Sequence, residues 1–366
     1  MKILLLGDAS GFHATLGKAL RALGHDVTII SSGSYWMQTP RDIDLHREKG
    51  LLGSIKYITD IFSELKNMRG YDIVQVPSPC FVELRPHRVR RLFDYLKKHN
   101  GKVIYEALGT DSNYVKACLD TTTFRYSDYR IGVSRSPYAE VHPQEELSWL
   151  KKPLREYTDY FVENVDAVIA CLYEYHKVYS HICPQKLYYG GIPIDLSIAT
   201  NTVTHTAPEK VRFVMGQMRG RRMLKGLDIL LPKMNAVMSR NPGKAEFWVI
   251  KNLRYDRYIE EIKSFNVLID QLYAYTPATN ALLGMARGLI ACSGAQDEFY
   301  DFIGEKELRP IVELNPLELY KIEEKFENLI KNKDIIPELS RQSREFVRKH
   351  NDSILVAKRH LEVYDK

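Results

Sequence analysis

Short apolar runs alternate with amphipathic stretches along this chain, and the alternation predicts strands and helices in turn. Residues 2–6, 26–31, 71–76 and 102–108 read as strands. Between them, 14–23 has helical spacing closed by Gly24, and 55–68 carries apolar residues at 55, 58, 61, 62, 65 and 68. This order predicts a parallel sheet with helices on its faces. After Gly109-Thr110-Asp111 the periodicity stops, and an irregular Tyr-rich stretch runs to about residue 142. A helix over 149–165 and a strand over 167–171 follow. Long irregular insertions in compact domains are usually functional or disordered.

Residues 190–209 are poor in periodic apolar positions and rich in Gly, Pro, Thr and Asn, so they read as a linker. Beyond them a second alternating series places strands at 211–215, 247–250, 267–270, 289–291 and 310–314. A helix over 317–332 and a basic one ending in SREFVRKHNDSILVAKRHLEVY close the chain. Two doubly wound domains are therefore expected, over residues 1–192 and 193–345, with a C-terminal helix in 346–366 packing back on the first. The length of 366 residues fits two cores of ordinary size. Ligands of such sheets bind beyond the carboxyl ends of the strands, which places the expected site between the domains.

Composition narrows the classes. No run approaches the roughly 20 apolar residues of a membrane span, and MKILLLGDASG reads as a strand rather than a secretion signal, so an intracellular protein is expected. Cys80, Cys118, Cys171, Cys183 and Cys292 are scattered without a C-x-x-C pair, and are expected to be reduced and buried with no metal site. A formal charge of +6 and a pI near 8.8 suit an anionic partner. Much of the excess lies between Arg85 and Lys102, where seven Lys or Arg residues face one acid, Asp94. Val89, Leu92, Phe93 and Leu96 form an apolar stripe there. A basic amphipathic helix of this kind can lie on an anionic membrane. The stripe more readily packs on a sheet, and the two readings coexist if only the charged flank meets lipid. The segment shows no nucleic-acid motif, and a basic patch alone does not make one.

The densest candidate chemistry is VMGQMRGRRMLKGLDILL, from Val214 to Leu231. It reads as a strand end, a basic loop with Gly216 and Gly220, and a helix with Leu227, Leu230, Leu231, Met234, Val237 and Met238 on one face. Arg219, Arg221, Arg222 and Lys225 crowd cations ahead of the helix N-terminus, whose free N–H groups favour an anion such as phosphate. Most basic runs are merely solvated loops, but here two glycines sit at a strand-to-helix turn. A second candidate is Tyr275-Thr276-Pro277-Ala278-Thr279-Asn280, with Thr276 expected as an N-cap and Pro277 as the first helical residue. In the first half, residues 7–13 join a strand to a helix with G-x-x-x-G rather than G-x-G-x-x-G, which disfavours a nicotinamide enzyme. Gly11 permits close backbone approach, and His13 near the helix start is expected to face the cleft, although a lone His is more often structural. Asp111, at a strand end, is placed to orient an acceptor hydroxyl or a donor sugar. Asp42-Ile43-Asp44 has a D-x-D form that is unremarkable among 46 acids.

The loop ending in Lys225-Gly226, residues 270–288 with Gly284-Met285-Ala286-Arg287-Gly288, and SREFVRKHNDSILVAKRHLEVY together resemble the retaining, nucleotide-sugar-dependent glycosyltransferases of the GT-B fold, family 4 type. GDASGFHATLGKALRALGHDVTII and Gly109-Thr110-Asp111 resemble the matching acceptor domain. The resemblance implies an α/β fold of two Rossmann-like domains facing across a cleft. It implies that Arg221 and Lys225 hold the donor diphosphate of a UDP- or GDP-sugar, with Gly11, Gly216, Arg219, Tyr275, Thr276, Thr279 and Asn280 in the donor-binding set. Asp111 and His13 are the catalytic candidates. The acceptor hydroxyl would attack from the face of the leaving diphosphate, with no metal, no enzyme nucleophile and no cofactor. A glycan or lipid-linked acceptor, surface polysaccharide synthesis, and a cytoplasmic protein peripheral to the inner membrane face through Arg85–Lys102 are expected. The chain departs from the family where two Glu residues usually stand: Tyr275 and Leu283 occupy those positions. That departure keeps open a non-catalytic binding or scaffold protein, and a nucleotide-sugar epimerase is the other alternative.

Overall fold

The computed structural model describes residues 1–34, 37–199 and 206–366, so residues 200–205 of the expected linker lie outside the described residues. In chain order the elements are β1 (Lys2–Leu6), α1 (Phe12–Ala22), β2 (Asp26–Ser31), β3 (Ile43–Asp44), α2 (Gly50–Glu64), β4 (Ile73–Val76), α3 (Pro86–His99), β5 (Lys102–Ala107) and α4 (Ser112–Leu119). Then come β6 (Arg130–Ile131), β7 (Ser134–Arg135), α5 (Pro137–Val141), α6 (Pro143–Trp149), α7 (Lys152–Asn164), β8 (Ala167–Ala170), α8 (Tyr173–Ser180) and β9 (Leu187–Tyr189). The remainder is β10 (Val211–Gln217), α9 (Leu227–Arg240), β11 (Ala245–Lys251), α10 (Tyr255–Glu261), β12 (Val267–Ile269), α11 (Thr279–Ala286), β13 (Ile290–Ser293), α12 (Asp297–Phe302), β14 (Val312–Glu313), α13 (Ile322–Lys331), α14 (Ile336–His350) and α15 (Ser353–Tyr364). The expected helix over 149–165 is α7, which begins three residues later, Trp149 being the last residue of α6. Pro153 has no N–H to give and fits only a first turn, so α7 starts at Lys152.

The chain forms two compact units. The first comprises Met1–Lys116, Leu147–Pro193 and Ser353–Lys366. Its sheet is parallel in the order β3-β2-β1-β4-β5-β8-β9. Strands such as β1 are near-continuous apolar runs because both sheet faces are covered. The connections leave β1 in opposite directions, toward β2 and toward β4, which makes the carboxyl ends of β1 and β4 a switch point. α15 packs on α1, and two of its polar side chains meet polar groups of the sheet. His360 Nε2 lies 2.7 Å from Glu106 Oε2, both fully buried, and Tyr364 donates from Oη to Gln75 Oε1 at 2.5 Å. Burial pushes the Glu106 carboxyl up, and the neighbouring His360 opposes this.

Two helices of this unit differ in what their apolar residues meet. In α3, Val89, Leu92, Phe93 and Leu96 are buried, with Phe93 and Phe161 ring centroids 4.9 Å apart. The stripe therefore belongs to the core, and Arg85, Arg88, Arg91 and Lys98 face outward. α2 departs from the expectation. It begins at Gly50 rather than at residue 55 and buries Tyr57 and Ile61, while Ile55 and Phe62, two of the apolar positions at helical spacing, are exposed. Helical spacing of apolar residues defines a face but not what the face meets.

The second unit comprises Ala117–Glu146 and Ile194–Asp352. Its parallel sheet runs β11-β10-β12-β13-β14, with Phe213, Met215, Leu230, Met234, Ile269 and Phe326 in one core. The inclusion of Ala117–Glu146 corrects the assignment of that stretch to the first domain. Tyr126 stacks on Tyr275 with centroids 4.5 Å apart, and the Tyr275 hydroxyl accepts the Arg125 N–H at 2.7 Å and the Tyr126 N–H at 3.2 Å. The Arg125 guanidinium donates to Gln296 Oε1 and to both Glu298 oxygens, each at 2.9 Å. Arg130 donates to the Asp120 carbonyl at 2.7 Å, closing the excursion on itself.

Asp128, inside this excursion, has Oδ1 enclosed without a hydrogen-bond partner, and desolvation pushes its carboxyl up to about 7. A folded value above the ordinary carboxylate range means that this contribution to stability is present below about pH 4 and is lost as pH rises through about 7. Denaturant titrations at pH 5 and pH 8 should show wild type losing about 2–4 kcal/mol more than Asp128→Asn across that interval. Equal losses for the two proteins would contradict this account of the carboxyl.

Candidate functional site

In the second unit the basic loop leaves β10 and ends at Gly226, which has φ 68° and caps α9. A Cβ on Gly226 would stand 2.7 Å from Leu272 Cβ, and the Leu272 N–H bonds to the Lys225 carbonyl at 2.9 Å. The loop end is thus fastened to the segment after β12. Gly216 is required for a related reason, since a Cβ there would meet Tyr258 Oη at 2.7 Å.

The four cations differ in their setting. Arg219, Arg221 and Arg222 are exposed, and the backbone N–H of Arg219 bonds to Asn252 Oδ1 at 2.7 Å. Lys225 is held: its Nζ donates to Asp270 Oδ1 at 2.7 Å, and Asn280 Nδ2 donates to the same oxygen at 2.8 Å. The Asp270 side chain is 0% exposed, and its Oδ2 is buried without a hydrogen-bond partner. One carboxylate from the end of β12 therefore aligns a cation of the loop with an amide of α11. An ammonium has three N–H donors, so the Asp270 contact leaves capacity for an anion. Three arginines and a helix N-terminus beside it make the arrangement suited to phosphate.

The second candidate segment is built differently from the expectation. α11 begins at Thr279 with Ala278 as N-cap, and neither Thr276 nor Pro277 starts it. The Tyr275 carbonyl accepts the Gln296 N–H at 3.1 Å, and a Cβ on Gly294 would come within 2.8 Å of the Thr276 nitrogen. Residues 274–276 are therefore held flat against the chain after β13 and cannot turn into helix. Tyr275 and Thr276 are buried, and Thr279 and Asn280 are half-buried. Leu283 is in the core. The nearby carboxylates are engaged: Glu298 by Arg125, and Asp297 by Arg309 at 2.6 Å.

In the first unit Asp8 organises the turn after β1, accepting the His13 N–H at 3.0 Å and the Thr39 hydroxyl at 2.7 Å. Gly11, with φ 73°, precedes α1, and its N–H reaches Ser34 Oγ at 3.3 Å. His13 is fully buried. Its Nδ1 donates to the Gly7 carbonyl at 2.6 Å, its Nε2 lies 3.4 Å from Gln75 Nε2, and burial lowers its pKa against the pull of Asp8. Asp111 is buried as well. It accepts the Tyr105 hydroxyl at 2.5 Å, the Tyr179 hydroxyl and the Tyr114 N–H at 2.8 Å. Burial raises its pKa, the two phenol hydrogen bonds lower it, and both phenols are pushed well above 10. A cavity of about 320 Å³ opens at the carboxyl ends of this sheet, between Asp8, Ser31, Ser78 and Thr110 on the polar side and Tyr57 and Trp149 on the apolar side.

Sequence reasoning missed Asp270 and the Tyr105 and Tyr179 pair. Asp270 had a signal, a lone carboxylate after an apolar strand. The tyrosines had none, since they lie 74 residues apart.

No family model matches the chain, and no curated protein matches it by sequence. Solved structures do resemble it. Sucrose-phosphate synthase from Thermosynechococcus elongatus superposes with a TM-score of 0.63 at 14% identity, covering 100% of this chain and 98% of that one. HepE of Anabaena, in complex with UDP and glucose, gives 0.61 at 10% identity over 100% of both chains. A glycosyltransferase from Rickettsia africae gives 0.56 at 13% identity, over 100% of this chain and 98% of that one. At these identities the likeness is one of fold, and the fold of this chain is the α/β GT-B type, built from two Rossmann-like units.

Proposed function

We propose that the chain is a glycosyltransferase that moves a sugar from a nucleotide-sugar donor to a glycan or lipid-linked acceptor. The observation that carries this reading is the basic loop running into α9, with Lys225 aligned by Asp270 and Asn280. Arg219, Arg221 and Lys225 would neutralise the charge that builds on the diphosphate as it leaves. The UDP bound to HepE supports a UDP-sugar over a GDP-sugar. Thr276, Thr279 and Asn280 would line the nucleotide side, and Gly216 would serve the same set by letting Tyr258 pack against the end of β10.

In the retaining course that the family resemblance implies, the bond from the anomeric carbon to the phosphate oxygen breaks as the acceptor oxygen bonds to the same face. The acceptor proton passes to the departing phosphate oxygen. No metal and no covalent enzyme intermediate enter. His13 and Asp111 belong to this reading as groups that hold the ends of β1 and β5 on the acceptor side, with Gly11 shaping the same turn. The setting would be the cytoplasmic face of a membrane in surface polysaccharide synthesis, with the exposed cations of α3 toward anionic headgroups.

A second reading is favoured by Tyr275, where the family has Glu. Its hydroxyl is taken by two backbone N–H groups of the excursion, as suits a binding protein that has lost turnover. Incubation with UDP-glucose separates the two: sugar transfer or donor hydrolysis supports the transferase, and tight UDP binding without turnover supports the other.

Calorimetry should show Arg221→Ala and Lys225→Ala each weakening UDP binding on the order of 10–100-fold, with circular dichroism unchanged. Retained affinity in both would sink the site assignment. Tyr275→Phe removes the acceptor for the Arg125 and Tyr126 N–H groups and should cost about 1–3 kcal/mol in denaturant unfolding, with UDP affinity within twofold of wild type. A loss of UDP affinity instead would make Tyr275 a donor contact.

A further inference from the structure

α2 is a helix with two sides, and only one of them belongs to the core. Tyr57 and Ile61 are buried, whereas Leu51, Leu52, Ile55 and Phe62 are 77%, 83%, 51% and 68% exposed. At about 100° per residue these four fall within an arc of about 100°, on a stripe roughly 16 Å long. Contiguous apolar surface of this kind on a protein marks a site of interaction rather than ordinary solvation.

The neighbourhood identifies the occupant. The carboxyl end of α3 touches the turn that follows α2: Tyr95 Oη donates to the Leu65 carbonyl at 2.9 Å, and Asn100 Nδ2 donates to the Met68 carbonyl at 2.9 Å. α3 exposes Arg85, Arg88, Arg91 and Lys98, and its one acid, Asp94, accepts the Tyr160 hydroxyl at 2.7 Å. On α2 itself Lys56 lies 3.8 Å from Glu48 and 3.6 Å from Asp60, with Lys49 just before the helix and Lys66 just after it, so the unbalanced cations beside the stripe are those of α3. An apolar stripe beside a cationic helix matches a bilayer with anionic headgroups, where the stripe enters the acyl boundary and the cations of α3 stay at phosphate level. A second copy of the chain fits worse, because a two-fold contact through α2 would bring the cationic faces of two α3 helices together.

We propose that α2 docks the first unit on an anionic lipid surface, with Leu51, Leu52, Ile55 and Phe62 as the inserted residues and α3 supplying charge alone. This relocates the membrane contact, since the apolar stripe of α3 is in the core. The proposal deepens, and rests on, the reading of a transferase with a lipid-linked acceptor. Tyr57, on the inward side of α2, lines the cavity of about 320 Å³, so docking would leave that cavity one helix diameter, about 10 Å, from the acyl boundary. An acceptor could then keep its chain in the bilayer and its head in the cavity.

The test is co-sedimentation of the full chain with phosphatidylglycerol–phosphatidylcholine vesicles and with phosphatidylcholine vesicles alone. Wild type should partition to the anionic vesicles, Leu51→Glu/Leu52→Glu should weaken this at least tenfold, and Arg88→Glu/Arg91→Glu should erase the preference for the anionic vesicles. Both double variants should keep wild-type melting temperature and UDP affinity. Wild type remaining in the supernatant, or equal partition of the Leu double variant, overturns the proposal. So does a wild-type dimer in light scattering that the Leu double variant turns into a monomer. UDP affinity reports separately: its absence in wild type would defeat the transferase reading while leaving the vesicle result standing.

Discussion

A parallel sheet must be covered on both faces, and in the first unit the crossover helices cannot do this alone. Right-handed connections that advance from β3 to β4, β4 to β5, β5 to β8 and β8 to β9 put α2, α3, α7 and α8 on one side. Only the step from β1 to β2 puts a helix, α1, on the other. The uncovered half of that face includes two polar residues in otherwise apolar strands, Gln75 in β4 and Glu106 in β5. α15 closes it and brings the partners these residues need, Tyr364 and His360. A buried carboxyl beside an imidazole is costly to break by removing one partner, so this polar contact makes the docking of α15 specific as well as tight.

The same logic of one buried polar group governing its surroundings operates in the second unit. Asp270 is the last polar group at the end of β12, and desolvating it is tolerable only because Lys225 and Asn280 both reach Oδ1. The arrangement couples the basic loop to α11. It also separates the roles of the cations, since Lys225 is fixed in direction while the three arginines remain exposed and adaptable. In the proposed function, a preset cation and exposed ones together would meet a diphosphate whose charge changes as it leaves.

Much of this frame was legible in the residues. Strands 2–6 and 26–31 coincide with β1 and β2 because short runs rich in Leu, Ile and Val, set off by Gly7 and Gly24, have few other solutions, and the stripe of α3 reads inward because four residues repeat at helical spacing. The site was legible in its charges and not in its anchors. Arg221 and Lys225 announce themselves by density, whereas the tether of Lys225 is a carboxylate 45 residues away. α2 defeated periodicity because its apolar residues serve two faces. The start of α11 defeated local capping rules because residues 274–276 are held against Gly294, a contact that no local pattern shows. The excursion falls by sequence order to the first domain, because its fastening, Tyr126 on Tyr275, joins residues 149 apart and leaves no local signal.

The excursion and α15 have a consequence for how the molecule is made. The chain passes between the two units at residues 116–117, 146–147, 193–194 and 352–353. The second unit therefore uses residues synthesised in the middle of the first, and the first is not covered until residues 353–366 have been added. Neither can reach its final form as an autonomous segment during synthesis, and contacts closed over such long stretches of chain form slowly. A ribosome translating this sequence holds one sheet face without its cover until α15 emerges, and exposed surface of that kind makes the nascent chain a natural client for chaperones.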